Sequence, residues 1–182
     1  MTPLYQRVMG EAFDRMPPEI QAIHSFRVPR RASGRGSVAR GKDLMARLVG
    51  WLFRFPPATD DVPVSVTFDV DEIGETWIRD FGGHRFQSRL GSRLKDNQAT
   101  LTEHFGLFIF DFDLSGDVSG LEMRLSGWKC LDFPLPRAFL PKILATERVK
   151  DGRFHFDVAI ALPWGKLIVR YKGWLVPDPA TP

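Results

Sequence analysis

Cysteine is nearly absent: Cys130 is the only one in 182 residues. A single thiol excludes an internal disulfide and any cysteine-rich zinc site, and without a base at a readable spacing Cys130 reads as inert packing. Long apolar runs are missing as well. The longest, such as residues 48–53, reach about six residues where a membrane-spanning helix needs about 20. The opening MTPLYQRVMGEAFDRM carries charges where a signal peptide has an unbroken apolar stretch, so the expected location is cytoplasmic. The four histidines, His24, His84, His104 and His155, have no metal-binding spacing, and no metal site is expected. Gly-x-Gly-x-x-Gly does not occur, and GRGSVARGK at 34–42 fails the spacing of a phosphate loop. No cofactor is called for, and nothing signals specific nucleic-acid recognition.

What is present is apolar and aromatic. The chain is 43% hydrophobic and 12% aromatic, with 15 phenylalanines, enough to bury one core, so residues 1–182 are read as a single domain. Its charge is uneven. Residues 27–54 hold Arg27, Arg30, Arg31, Arg35, Arg40, Lys42, Arg47 and Arg54 against Asp43 alone, which leaves the remainder net acidic.

Residues 1–55 form a helical, basic N-terminal part. Thr2-Pro3 suggests a helix start, with Leu4, Tyr5, Val8, Met9 and Phe13 at helical spacing to about Met16. Pro17-Pro18 interrupts it, and Ile20 and Ile23 suggest a short further turn. Residues 25–41 read as weak strand plus loop. Lys42 to Phe53 reads as a second main helix, with Leu44, Leu48, Trp51, Leu52 and Phe55 on one side and Arg47, Gly50 and Arg54 on the other.

From residue 62 to 176 the period changes to two, beginning with Val64, Val66, Phe68 and Val70. Further strands are expected near 74–81, 84–94, 98–105, 107–115, 120–129, 143–150, 153–162 and 166–175. Short turns at Gly82-Gly83, Asp96-Asn97, Gly116-Asp117, Asp151-Gly152 and 163–165 separate most of them. The fold class is therefore mainly β with an α+β N-terminus: an antiparallel up-and-down meander, curved or barrel-like, of about eight to ten strands with two N-terminal helices.

An internal repeat supports this architecture. Residues 106–128 and 152–174 align without a gap and share eight of 23 positions, among them Asp111/Asp157, Arg124/Arg170 and Trp128/Trp174. Folding each segment about its turn opposes Asp111 to Arg124, Asp157 to Arg170, Phe108 to Gly127 and Phe154 to Gly173. The two carboxylates are therefore read as ion pairs that set register. An opposed arginine makes a carboxylate a poor general acid. The charged face that they mark is expected to carry Trp128 and Trp174 too.

SGWKCLDFPLPRAFLPKILATERVKDGRFHFDVAIALPWGKLIVRYKGWLVPD, with LYQRVMGEAFDRMPPEIQAIH and WIRDFGGHRFQSRL, resembles the bacterial domain-of-unknown-function family 4166. Its members occur alone or C-terminal to saccharopine dehydrogenase-like reductases. The resemblance implies an accessory or ligand-holding role beside a reductase partner. It brings no catalytic residues.

Three functions follow as expectations. The first is a non-catalytic module for an apolar or amphipathic small ligand, bound on the face formed by Phe108, Phe110, Phe112, Leu125, Phe154, Phe156 and Tyr171. The second is an enzyme that gathers carboxylates and His84 or His104 in a cleft. The third is an interaction or peripheral membrane surface through 27–55, set against the simpler reading that this helix caps the sheet with its arginines in solvent.

Overall fold

The computed structural model describes residues 2–95 and 98–179, so the expected turn at Asp96-Asn97 lies outside the described residues. Three short helices come first: α1 (Leu4–Met9), α2 (Glu11–Asp14) and α3 (Pro18–His24). The expected single helix to Met16 is broken at Gly10, whose φ of 55° takes the chain out of the helix. Helix α1 starts after Pro3, and no side chain caps it.

Strand β1 (Arg30–Arg40) follows, then α4 (Leu44–Leu52), capped by the Asp43 carboxylate accepting from the Met45 N–H. The meander continues as β2 (Thr59–Val70), β3 (Glu75–Phe81), β4 (His84–Lys95), β5 (Gln98–Phe105), β6 (Phe108–Asp117) and β7 (Gly120–Cys130). After the two-residue β8 (Phe133–Pro134) come β9 (Lys142–Lys150), β10 (Arg153–Ala161) and β11 (Leu167–Pro177). Every pairing is antiparallel. β1 joins both β2 and β11, β7 joins both β6 and β9, and a ten-stranded barrel closes with β8 added outside the ring.

The closure explains a strand that hydrophobic patterning hides. In β1 the inward positions include Ala32, Gly34 and Gly36 rather than large apolar residues, so no alternation is visible in the sequence. The small residues are required. A Cβ at Gly34 would lie 1.9 Å from the Trp174 carbonyl oxygen, and one at Gly173 would lie 2.3 Å from that of Arg35.

Alternation sends Phe68, Trp77, Phe81, Phe86, Phe112 and Phe154 inward, where they are buried. Ion pairs decorate the outside: Arg35–Asp61, Arg85–Asp80, Arg89–Asp71 and Arg170–Asp157. Exposed pairs of this kind contribute about 0–1 kcal/mol each. Apolar inside and charged outside is the reverse of a membrane-spanning barrel. Among the described residues, no helix is long and apolar enough to cross a membrane.

Both repeat hairpins form, with the register shifted by two residues from the expected one, and by three beyond a bulge in the first. Asp157 stands opposite Lys172 and Phe156 opposite Gly173; Phe112 stands opposite Leu125 and Asp113 opposite Arg124. The first loop is Val118-Ser119 rather than Gly116-Asp117. A shift of two keeps every side chain on its face, so the inward set survives. The Asp157–Arg170 pair also survives, as a diagonal contact with hydrogen bonds of 2.7 and 2.5 Å.

The Asp111–Arg124 pair does not form. A bulge between Asp111 and Phe112 sets Asp111 opposite Gly127, and Arg93 of β4 reaches across β5 to hold both carboxylate oxygens at 3.0 and 2.5 Å. Arg124 bonds Glu122 of its own strand. The same bulge moves Trp128 off the charged face: it pairs with Phe110 and stacks on Phe108. Trp174 does lie outside, under the Arg153 guanidinium at 4.5 Å.

Helix α4 is turned the other way from its expected packing. It docks through Ala46, Val49, Gly50 and Phe53, and its apolar stripe of Leu44, Leu48, Trp51 and Leu52 faces solvent. The reason lies in close contacts. A Cβ on Gly50 would lie 1.7 Å from the Arg40 guanidinium, which donates to the Phe55 and Pro56 carbonyls, and one on Gly41 would lie 2.9 Å from the Ala46 Cβ. Only small residues fit at these two contacts, and Val49 and Phe53 pack beside them.

Both tyrosines of the chain are buried. Burial pushes the Tyr171 hydroxyl up to about 12 and raises Tyr5 well above its ordinary range, helped in Tyr5 by Glu147 and Glu75. In the unfolded chain such hydroxyls ionise near 10.0. Stability tied to the neutral hydroxyl is therefore intact below pH 10 and lost as pH rises through about 12. Absorbance at 295 nm should show no phenolate near pH 10 and a rise that coincides with loss of far-ultraviolet circular dichroism. Ionisation with the fold intact would contradict the burial of both rings.

Candidate functional site

Strands alternate in direction, so the barrel has two distinct ends. The lower end is plugged by α1–α3, where Leu4, Tyr5, Phe13, Met16, Ile20 and Ile23 are buried. Proline at the start of α3 fits its first turn, and the helix ends by driving His24 inward. Tyr5 lies tilted against His24 with ring centroids 3.8 Å apart and stacks on Trp77 at 6.1 Å. His24 Nε2 lies 2.7 Å from Glu147 Oε2, and the carboxylate accepts its N–H. His24 Nδ1 is buried without a hydrogen-bond partner among the described residues.

Above this floor lies a cavity of about 140 Å³. Its wall is aromatic, with Phe68, Trp77, Phe81, Phe86, Phe105 and Phe156 among the contributors, and it reaches the upper end past Val49 and Phe53 of the α4 segment. Two charged residues face into it at mid-height. Arg79 of β3 donates to Ser88 Oγ at 2.7 Å and to Glu103 Oε1 at 3.2 Å, and its guanidinium stands 5.1 Å from the Trp77 ring and 5.7 Å from that of Phe86. Ser88 donates to the same Glu103 oxygen. Glu103 Oε2 accepts no hydrogen bond among the described residues. Glu147 also lines the cavity, and Glu75 accepts from the Trp77 indole below it. Burial raises the Glu75 carboxyl above its ordinary range, opposed by that indole bond and by His24.

Five of the seven expected pocket residues lie on this wall: Phe110, Phe112, Phe154, Phe156 and Tyr171. Phe108 and Leu125 pack against the core without lining the cavity. His84 and His104 are exposed on the outside and do not converge with the inward carboxylates. The charged groups that do meet form two pairs, Arg79 with Glu103 and Glu147 with His24. Period-two alternation places Arg79 and Glu103 on the inward parity of their strands, two residues from Trp77 and Phe105, so the signal was present. A charge on an apolar face reads in a sequence as a break in the pattern rather than as its centre.

The geometry defines a closed antiparallel barrel with an aromatic, polar-centred interior. Over residues 16–175 the chain matches the family model described as Domain of unknown function (DUF4166), and it belongs to that family. No curated protein and no solved structure matches it.

An ion pair inside an apolar barrel is costly to break from one side. Arg79→Met leaves the Glu103 carboxylate without its cation and should destabilise the protein by less than the ~3–5 kcal/mol of a fully buried pair, because Glu103 keeps 21% exposure and the Ser88 hydrogen bond. Replacing both residues, Arg79→Met with Glu103→Leu, should recover most of that loss in urea unfolding. Equal destabilisation by the single and double variants would show that the pair is not coupled.

Proposed function

We propose that the barrel is a non-catalytic binding module for a small amphipathic molecule, whose apolar part sits among the phenylalanines and whose polar group meets Arg79 and Glu103. The observation that supports this most directly is the inward Arg79–Glu103 pair with an unused carboxylate oxygen. In a barrel built only for stability, well-packed apolar residues at these positions would serve as well or better. Arg79 supplies donors, Glu103 Oε2 supplies an acceptor, and a hydroxyl or amide on the ligand satisfies both kinds.

Size limits the ligand. The cavity of about 140 Å³ falls below the roughly 300–1,000 Å³ usual for drug-sized molecules. It therefore seats a ring or a short chain segment, and a longer acyl or isoprenoid tail must leave through the upper end between α4 and the β5–β6 turn. Val49, Phe53 and Phe105 line that route and present apolar surface along it.

Protein purified from cells and extracted into organic solvent should release a small apolar compound, seen also as added mass in a native spectrum. Binding of cis-parinaric acid should raise its fluorescence, and Val158→Trp, which fills the cavity from its wall, should reduce that binding at least tenfold with the circular dichroism unchanged. No co-purifying compound, together with no thermal shift from fatty acyl or isoprenoid compounds, would remove the proposal.

A further inference from the structure

The upper end of the barrel carries more exposed apolar surface than a solvated end needs. α4, the β5–β6 turn, the β7–β9 connection and the β10–β11 turn all meet there. They are tied together by the Lys166–Asp43 ion pair and by the Leu131 N–H donating to the Leu107 carbonyl. On α4, Leu44 is 81% exposed, Leu48 56% and Trp51 75%; on the connecting loops, Phe133 is 75% exposed, Phe139 62% and Trp164 59%. Scattered apolar residues on a surface need no explanation, but a ring of large ones at one pole does.

The ring is interleaved with cations. Lys42, Arg47, Arg54, Arg137 and Lys142 are exposed at the same end, and none is paired with a carboxylate among the described residues. The exposed acidic residues there are Asp60, Asp61 and Asp132, and Asp61 is paired with Arg35. On α4, Arg47 sits among Leu44, Leu48 and Trp51, the composition of a helix that lies in a bilayer interface. Tryptophan is a side chain favoured at headgroup depth.

We infer that this pole docks the barrel onto an anionic lipid bilayer, with α4 lying flat in the interface and the loop aromatics beside it. A protein partner would be expected to bury the apolar ring but gives no reason for five unpaired cations around it. A membrane with anionic headgroups accounts for both. Internal packing cannot use the outer face of α4, because Gly50 and Ala46 hold the opposite face against Arg40 and Gly41. The docking rests on these outward side chains alone. It is a separate claim from ligand binding in the cavity, although it would set the upper mouth against the lipid.

The test is co-sedimentation of the full chain with phosphatidylcholine vesicles, with and without phosphatidylglycerol. Binding is expected to the anionic vesicles, several-fold weaker at high salt, with tryptophan fluorescence quenched by brominated lipid. The double variant Leu48→Glu and Trp51→Glu changes only exposed positions. It should keep the wild-type melting temperature and cis-parinaric acid binding while losing vesicle binding at least tenfold. Three results would each overturn the inference: no binding to anionic vesicles, binding untouched by the double variant, or a dimer in light scattering that the double variant breaks while vesicles are ignored. Cis-parinaric acid binding reports on the cavity independently, so either claim can fail without the other.

Discussion

Closure of the sheet between its first and last strands is the constraint on which the rest of this molecule depends. β1 must lie against both β2 and β11, and it can do so only because Gly34 and Gly173 have no side chains to separate the two backbones. Gly36 stands directly opposite Gly173, and Phe156 lies across the ladder from the same residue, its ring filling the room that the missing side chain leaves. Without that seam the meander would have two open edges. With it, the inward residues of ten strands share one interior.

A closed interior makes its polar residues expensive, and that cost discriminates between packing and a site. The wall is almost wholly apolar, yet Arg79, Glu103 and Glu147 project into it and Glu75 and His24 lie at its base. Each is held by a specific partner: Ser88 and two aromatic faces for Arg79, His24 for Glu147, the Trp77 indole for Glu75. Partnering reduces the penalty of burial without removing it. The presence of these groups in an apolar interior is what the proposed ligand binding rests on.

Much of this architecture was legible in the residues. The alternation from Val64 onward, the turn chemistry and the repeat identify the strands β2 to β7 and β9 to β11 and the parity of nearly every inward side chain. Parity is robust because an error of two in register leaves it intact, which is why Phe110, Phe112, Phe154, Phe156 and Tyr171 reach the cavity although both hairpins pair differently from expectation. Three things were legible poorly or not at all. β1 shows only as weak strand within 25–41, because it carries glycine where patterning looks for bulk. The Asp111 bulge inserts one residue and reverses the parity of Trp128 beyond it. Arg93 reaches Asp111 across an intervening strand, a contact that no hairpin arithmetic contains.

Helix α4 shows why amphipathicity alone does not reveal which way a helix faces. Its large apolar residues and its small ones lie on different sides, and the hydrophobic effect taken by itself would bury the large ones. Steric fit decides otherwise: the barrel corner at Arg40 and Gly41 admits only Ala46 and Gly50, and Arg40 gains the Phe55 and Pro56 carbonyls by lying there. Leaving three leucines and a tryptophan in water forgoes several kcal/mol of burial, at about 1.5–3 kcal/mol for each such side chain. A cost of that size on one helix, with the loop aromatics exposed at the same pole, is what the proposed membrane docking rests on. The inner side of the segment, through Val49 and Phe53, already forms the upper wall of the cavity. The cavity already reaches the pole past these two side chains, so the apolar interior and the exposed stripe lie on opposite faces of one short helix.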